Sequence, residues 1–316
     1  MPDSVRPRSI ADLPPQTAAA PETAAQGRAR FFNPGNAFNV ILPAVPDVAF
    51  TAEPARALDP ATPTGLIPCD ISDVLECPFP ATSPFVLASY GRIRAGESLA
   101  MDVAASGIVH FVIDGVGSTV SGDETIAWSK GDVFITPGGV PETHTAGAED
   151  AVLWIVTNEP QFAFERAQAP APGTAPTPVV HYPAAEIQRQ VDLIYDIGRG
   201  QEIPGAAVIM SSDMQVESRN ALPTLTVAMN TLDPGVVQRP HRHNSVAVSL
   251  VVSGTNCYSK VDGRKKMWSP YATTITPPVA VHSHHNEGDE RAFFLIVQDG
   301  GLFYHARAMG FAFVDA

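Results

Sequence analysis

The sequence has few cysteines, few charged residues and no long apolar segment, and each of these absences excludes a class of protein. Three cysteines in 316 residues are an odd and sparse set, so a disulfide framework is excluded and reduced thiols in a cytoplasm are expected. No apolar run reaches the roughly 18 residues of a membrane-spanning helix, and the first residues lack the continuous apolar core of a signal peptide. The 33 acidic residues outnumber the 20 basic ones, which disfavours nucleic acid or an anionic membrane as a partner.

Proline and glycine, in contrast, are abundant, with 30 and 24 residues, and they separate short apolar runs. Runs such as FVLASY, GIVHFVID, AVSLVVSG and AFFLIVQD read as strands. One helix is predicted over 183–197, where Ile187, Val191, Ile194 and Tyr195 follow helical spacing. The pattern predicts an all-β protein made of two tandem jelly-roll barrels with a few short helices.

Composition also divides the chain into four segments. Residues 1–60 are predicted to form an N-terminal arm, and the Pro-rich residues 167–182 a linker. The barrels are then assigned to residues 61–166 and 183–316.

An internal repeat supports this division. Glycines 19 residues apart bound the segments 96–115 and 235–254, at an offset of 139 residues, and 131–144 aligns with 271–284 at an offset of 140. This alignment places Asp102, Ala104 and Glu142 where the second half has histidines, so the first barrel is predicted to bind no metal.

Six of the nine histidines follow residue 240: His241, His243, His282, His284, His285 and His305. Side chains two apart on a strand share a face, so His241 and His243 point one way and His282 and His284 share a face of another strand. Imidazoles at i and i+2, with a third from a neighbouring strand, form one triangular face of a metal's coordination shell.

The two histidine segments resemble the two motifs of the cupin family. GVVQRPHRHNSVAVSLVVSG (235–254) is similar to the first motif, with Ala247 in place of the usual Glu. YATTITPPVAVHSHHN (271–286) is similar to the second, with Tyr271 and Val279 in place of two glycines. The resemblance implies a bicupin whose ligands are His241, His243 and His282.

Within the cupins, PHRHN with Ala247 and the downstream H-x-H-x-N are similar to the gentisate and salicylate 1,2-dioxygenases, a group that includes a 5-nitrosalicylate 1,2-dioxygenase. This likeness implies one Fe(II) per subunit and an extradiol-type, ring-cleaving oxidoreductase of aromatic hydrocarbon catabolism. Its substrates are a hydroxylated aromatic carboxylate and O2, which is inserted between the ring carbons bearing the carboxyl and hydroxyl groups. It also implies a homo-oligomer, a tetramer in the family.

The missing carboxylate agrees with such chemistry. Three neutral ligands leave a divalent ion its full charge and up to three open positions, which suit a chelating anion and O2. A glutamate ligand would occupy one position, so the three-His-one-Glu cupins are disfavoured.

The substrate-binding residues are harder to assign from sequence. The family has an Arg that pairs with the substrate carboxylate where this chain has Ser249, and a Gln where it has Asn230. Strand parity points Arg239 inward, or Gln238 instead if Pro240 forces a bulge. His284 is predicted to be catalytic and to hydrogen-bond the phenolate or dioxygen. Asp299 lies where the family has an acidic residue, and His285 and His305 are interpreted as structural.

Two alternatives remain open. One is another metal-dependent cupin enzyme, such as an isomerase or a lyase, which iron analysis and O2 uptake with hydroxybenzoates would distinguish. The other is a non-catalytic small-molecule-binding bicupin, although storage cupins usually lose their histidines and here only the first half has done so.

Overall fold

The computed structural model describes residues 8–198 and 206–314, and the chain divides into two compact units between Pro43 and Ala44. The first unit contains a 3-10 turn at Ile10–Asp12 and helix α1 at Ala24–Arg28. The second contains the helices α2 (Ala52–Leu58), α3 (Ser72–Leu75), α4 (Glu159–Glu165), α5 (Ala184–Gly198) and α6 (Gly300–His305). Helix α5 confirms the helix predicted over 183–197. In the part of the chain that the structure describes, no helix is both long and apolar enough to cross a membrane.

Strands dominate the second unit, as the turn-punctuated sequence predicts. Those up to residue 182 are β1 (Ala49–Phe50), β2 (Gly65–Pro68), β3 (Leu87–Ile93), β4 (Ser98–Met101), β5 (Gly107–Asp114), β6 (Val116–Ser121), β7 (Glu124–Ser129), β8 (Val133–Pro137), β9 (Glu142–Ala146), β10 (Ala151–Thr157) and β11 (Val180–Tyr182). Those that follow are β12 (Ala206–Met210), β13 (Thr226–Leu232), β14 (His241–His243), β15 (Ala247–Ser253), β16 (Cys257–Val261), β17 (Arg264–Met267), β18 (Thr273–Thr276), β19 (His282–Asn286), β20 (Ala292–Gln298) and β21 (Phe311–Phe313).

Each half pairs a six-stranded sheet with a smaller one. The first half has the orders β11-β8-β5-β10-β3-β2 and β4-β9-β6-β7, and the second has β1-β18-β15-β20-β13-β12 and β17-β16-β19-β14-β21. The two large sheets repeat one strand order, which confirms the predicted all-β fold of two similar barrels. Strand β1 comes from the predicted arm but adds an edge to the large sheet of the second half.

Both faces are buried along most of the central strands β5, β10 and β15, which explains their nearly continuous apolar sequences. In β5, Val109 and Phe111 belong to a core shared by the large sheets of the two halves, whereas Ile108 and Val112 face the interior of the first barrel. The three cysteines are free, as predicted, with Cys69 in that shared core.

A buried polar cluster ties the two large sheets together around Thr273. The indole N–H of Trp154 donates to the Thr273 hydroxyl at 2.9 Å. The Tyr90 hydroxyl lies 2.7 Å from the same oxygen and donates to the carbonyl of Tyr271. Thr273 therefore supplies the polar partner for two large aromatic side chains of the first half.

The interiors of the two barrels differ. The first is filled by apolar side chains from both of its sheets, including Phe134, Leu153 and Ile155. In the second, the buried apolar cluster consists of Leu232, Cys257, Ala292 and Phe294. The smaller cluster leaves room for a cavity beside the strands that carry the histidines.

The strand register corrects one detail of the repeat. His241 pairs with His282, and in the first half it is Met101 that pairs with Glu142. Met101 is buried and Asp102 is exposed, so Met101 and Val103, rather than Asp102 and Ala104, occupy the places of His241 and His243. The extra residue of the second half lies between Val237, which pairs with His285, and His241, where Pro240 interrupts the strand.

We expect Thr273→Val to lower the free energy of unfolding by about 1–3 kcal/mol, because a buried indole N–H loses its acceptor. Thr136→Val is the matched control. The Thr136 hydroxyl is buried without a hydrogen-bond partner among the described residues, so its loss should be nearly neutral. Urea-induced unfolding measures both variants, and equal losses would contradict the role of Thr273.

Candidate metal centre

Three histidines meet on two neighbouring strands of the small sheet of the second barrel. His241 and His282 are directly opposed across β14 and β19. Alternation along β14 buries His241 and His243 and leaves Arg242 exposed. One ring nitrogen from each of the three lies within 4.8 Å of those of the other two.

Hydrogen bonds to the backbone fix which nitrogen each imidazole presents. Nδ1 of His241, His243 and His282 lies 2.9, 2.9 and 3.0 Å from the carbonyl oxygens of Arg239, Ser245 and Ala280, respectively. A carbonyl only accepts, so each neutral ring donates its Nδ1–H and keeps its lone pair on Nε2. The three Nε2 atoms are thus the available ligands.

The electrostatics of the site favour neutral imidazoles. Burial lowers the pKa of His241 and of His243, and it lowers the pKa of His282 to about 3. A neutral ring is the form that coordinates a metal. Ala247, where the cupin motif usually has Glu, is buried in the cavity wall. A set of three imidazoles without a carboxylate fits a divalent transition metal better than Mg²⁺ or Ca²⁺.

The three histidines form part of the wall of a cavity of about 520 Å³, within the range of small-molecule sites. Its lining residues come from the loop 217–220, from the strands of the second barrel and from the segment 304–311. They are Ile209, Glu217, Ser218, Arg219, Asn220, Thr226, Ala228, Asn230, Gln238, His241, His243, Ala247, Ser249, Thr276, His282, His284, Ile296, Gln298, Tyr304, Met309 and Phe311.

Four of the five residues predicted to contact substrate line this cavity: Asn230, Gln238, Ser249 and His284. The Asn230 amide donates to the carbonyl of Ala228 at 3.2 Å. The Gln238 side-chain oxygen is buried without a hydrogen-bond partner among the described residues. His284 Nδ1 lies 2.8 Å from the Ser259 hydroxyl.

The prediction that Arg239 points inward is corrected by the structure. Arg239 is exposed and does not line the cavity, and its guanidinium lies 4.5 Å from the ring centroid of Phe313. Pro240 interrupts the pairing before β14 begins at His241, and the Gln238 N–H donates instead to the His284 carbonyl. Before Pro240, the side chain that faces the cavity is therefore that of Gln238 and not that of Arg239. This is the alternative predicted for a bulge at the proline.

The remaining residues singled out from sequence lie away from the cavity. His285 is on the other face of β19, stacked on Tyr258 with centroids 4.5 Å apart, and His305 is exposed at the end of α6. Asp299 is buried and accepts the N–H of Val246 at 2.8 Å, and burial raises its pKa to about 7.

Sequence reasoning missed Arg219. Among the described residues that line the cavity it is the one Arg or Lys. It lies in the irregular segment between β12 and β13, with φ +58°, and its N–H donates to the Gln215 carbonyl at 2.8 Å. Arg219 belongs to no motif and to no strand, so neither motif spacing nor side-chain alternation could predict that it lines the cavity.

A second histidine cluster, also missed, lies in the first barrel. His110 and His144 place Nε2 at 3.0 and 3.2 Å from the same carboxylate oxygen of Glu142, and all three side chains are buried. Hydrogen bonds to the histidines and their charge offset the effect of burial and hold the pKa of Glu142 well below its usual range. By register His110 takes the place of Ser249, because His110 pairs with Phe134 and Ser249 with Thr274, at matching positions of β8 and β18.

The turn before His282 is strained. Val279 has φ +59°, where its counterpart Gly139 in the first half has φ +74°. A β-branched residue is disfavoured in this region. The Val279 N–H donates to the His243 carbonyl at 2.7 Å, so the turn connects the segment leading to His282 with β14.

The chain folds as two barrels of the cupin type, and the second barrel brings together three imidazoles that could hold a transition metal. Residues 228–298 match the family model Cupin_2, described as a cupin domain, a span that covers β13–β20 and all three histidines.

The sequence is also similar to those of two 1,2-dioxygenases. The chain is 24% identical over 251 residues to a 5-aminosalicylate 1,2-dioxygenase of Comamonas sp., covering 69% of this chain and 66% of that protein. It is 29% identical over 87 residues to a 5-nitrosalicylic acid 1,2-dioxygenase of Bradyrhizobium sp., covering 28% of this chain and 42% of that one. The aligned part thus spans less than two thirds of either relative.

A solved structure, the salicylate 1,2-dioxygenase of Pseudoaminobacter salicylatoxidans as its gentisate adduct, superposes with a TM-score of 0.72 at 14% identity, covering 89% of this chain and 88% of that one. This likeness confirms the bicupin fold. The chain is similar to gentisate- and salicylate-type 1,2-dioxygenases, as its motifs predicted.

We expect Asp299 to make the stability of the protein depend on pH. Because its pKa is about 7 in the folded chain and near 4 when unfolded, the folded state binds the extra proton. Stability from this group is therefore greatest near pH 4 and is lost as pH rises to about 7. Asp299→Asn keeps an acceptor for the Val246 N–H and should be more stable than the parent at pH 8 by about 4 kcal/mol.

Thermal unfolding between pH 4 and 8 measures this difference, which should disappear near pH 4. The control is Asp262→Asn, an exposed residue that accepts the Val281 N–H at 2.9 Å. A gain that does not change with pH would contradict the role of Asp299.

Proposed function

We propose that the chain is an Fe(II)-dependent, ring-cleaving 1,2-dioxygenase that acts on a hydroxylated aromatic carboxylate of the salicylate type. O2 is inserted between the ring carbons that bear the carboxyl and hydroxyl groups. The observation that carries this proposal is the site of three buried imidazoles, with Nε2 available and no carboxylate ligand, in the wall of a cavity of about 520 Å³. The resemblance to salicylate-type 1,2-dioxygenases supports the same reaction.

His241, His243 and His282 would hold the iron through Nε2. Ferrous iron held there would supply the one-electron chemistry that O2 needs in order to react with an aromatic ring, and it would bind the phenolate and carboxylate of the acid. The cleavage is of the extradiol type, because the bond that breaks lies beside the hydroxylated carbon and not between two hydroxylated carbons.

The cavity residues of this chain then bind and orient the ring. Arg219 provides a guanidinium for the anionic carboxylate, the role for which the family uses an Arg at the position of Ser249. The side chains of Ser249, Gln238 and Asn230 offer hydrogen-bond donors to a further substituent. His284, next to the ligand His282 on the same strand face, donates to the phenolate or to dioxygen.

The first barrel has a structural role. Its residues 61–166 bind no metal and serve packing and subunit assembly, with 1–60 as the arm, 167–182 as the linker and 183–316 as the metal-binding cupin. We also propose a homotetramer in the cytoplasm, by analogy with the family.

We expect the purified chain to bind about one Fe(II), and the double variant His241→Ala/His243→Ala to bind almost none, because two of three ligands are gone. Metal analysis after ferrous reconstitution measures both. The matched control is His110→Asn/His144→Asn, which alters the other histidine cluster but leaves donors for Glu142, and it should keep its iron. Two ions per chain, or metal retained in the first variant, would contradict the assignment.

We expect 5-nitrosalicylate to be turned over with a higher kcat/KM than gentisate. A nitro group accepts hydrogen bonds from Ser249, Gln238 or Asn230, and it lowers the pKa of the phenol, so that phenolate forms without a strong base. Initial rates of O2 uptake at equal iron loading compare the two acids.

The role of Arg219 is measured with the same assay. Arg219→Gln should lower kcat/KM for both acids about tenfold or more, as expected for a lost charged hydrogen bond. Arg242→Gln, on the exposed face of β14, should leave both values unchanged. A higher kcat/KM of the parent chain for gentisate than for 5-nitrosalicylate would contradict the roles proposed for Ser249, Gln238 and Asn230.

A further inference from the structure

Four buried histidines face the second barrel's cavity, and their hydrogen bonds divide them into two chemical types. His241, His243 and His282 donate Nδ1–H to backbone carbonyls and present an Nε2 lone pair. His284 has a hydroxyl, not a carbonyl, at Nδ1. The direction of that one hydrogen bond decides whether His284 presents a lone pair or a proton to the cavity.

The direction follows from Trp268. Its indole N–H, which can only donate, lies 2.9 Å from the Ser259 oxygen. The Ser259 oxygen accepts this hydrogen bond, and among the described residues the acceptor found for its own proton is His284 Nδ1, at 2.8 Å. His284 Nδ1 is then an acceptor, so a neutral His284 carries its proton on Nε2.

The Nε2–H of His284 is directed to the cavity and not to another protein group. His284 lines the cavity two residues from His282, with the two ring centroids 6.0 Å apart. No hydrogen bond to its Nε2 is found among the described residues. A protonated Nε2 cannot ligate a metal, but it is a suitable donor to an anionic oxygen.

The first barrel repeats the arrangement 140 residues earlier. Trp128 donates to Thr119 at 2.8 Å, and the Thr119 hydroxyl lies 2.7 Å from His144 Nδ1. There the donor has a partner, because His144 Nε2 lies 3.2 Å from a carboxylate oxygen of Glu142. The same three side-chain types thus direct an imidazole N–H to an anionic oxygen in the half without the three-histidine site.

We infer that Ser259 and Trp268 are positioning residues, which hold His284 as an Nε2–H donor to an anionic oxygen of the bound aromatic acid. This inference rests on the proposed function for the identity of the acceptor. The orientation of His284 itself rests only on the contacts of Ser259 and Trp268.

The orientation is tested by ¹⁵N NMR of histidine-labelled protein, in the metal-free chain and in the chain loaded with diamagnetic Zn²⁺. His284, assigned by its loss in His284→Gln, should show a protonated Nε2 and an unprotonated Nδ1. The three ligand histidines should show the reverse pattern. An Nδ1–H signal for His284 would overturn the inference, whether or not the chain has activity.

The consequence for turnover is tested with iron-loaded protein and 5-nitrosalicylate. Ser259→Ala should lose about tenfold or more in kcat/KM, a usual effect of removing a residue that orients a site histidine, while its iron content stays unchanged. Ser259→Thr restores a hydroxyl, as Thr119 has in the first barrel, and should recover most of the rate. Full activity in Ser259→Ala, or no recovery in Ser259→Thr, would contradict the positioning role.

Thr119→Ala is the matched control, because it breaks the same arrangement in the first barrel and should leave kcat/KM unchanged. If the parent chain turns over none of the hydroxybenzoates but His284 shows the Nε2–H form, the proposed function fails and the orientation of His284 stands. If turnover is observed and His284 shows the Nδ1–H form, the function stands and this inference fails.

Discussion

The site depends on hydrogen bonds from imidazole Nδ1 atoms to backbone carbonyls. Each bond sets the tautomer and the ring orientation of one of the three histidines, and the carbonyls belong to residues two positions away in the chain: Arg239, Ser245 and Ala280. The orientation of the three imidazoles is thus set by the backbone immediately around β14 and β19. Burial adds to this by keeping the rings neutral, so that the lone pairs are present before any ion arrives.

The two barrels show how one architecture reaches two outcomes. In the first, Met101, Phe134 and their neighbours fill the interior, and the histidines are satisfied by Glu142. In the second, small side chains at Ala247 and Ser249 line the cavity, and one ring nitrogen of each of the three histidines lies within 4.8 Å of the other two. The difference between a packed barrel and a barrel with a cavity is therefore made by the volumes of a few side chains and by one carboxylate, not by the strand order.

The parts of the site that follow a strand could be predicted from sequence, because side chains alternate with a fixed period of two. This holds for His241, His243, His282 and His284. The period is lost at Pro240, so parity alone could not decide between Gln238 and Arg239. Arg219 comes from a segment without any period. The slip that puts Met101 in the place expected for Asp102 becomes visible only through pairing with another strand. Where the chain leaves a sheet, the tertiary structure decides which side chains meet.

The apolar layer shared by the two large sheets limits how far the chain can be shortened. If the second barrel were produced alone, Val248, Leu250 and Val297 would lose the side chains that cover them, and water would meet a broad apolar sheet. The first barrel thus keeps this face of the second barrel covered. The two halves should also melt in a single cooperative transition and not one after the other.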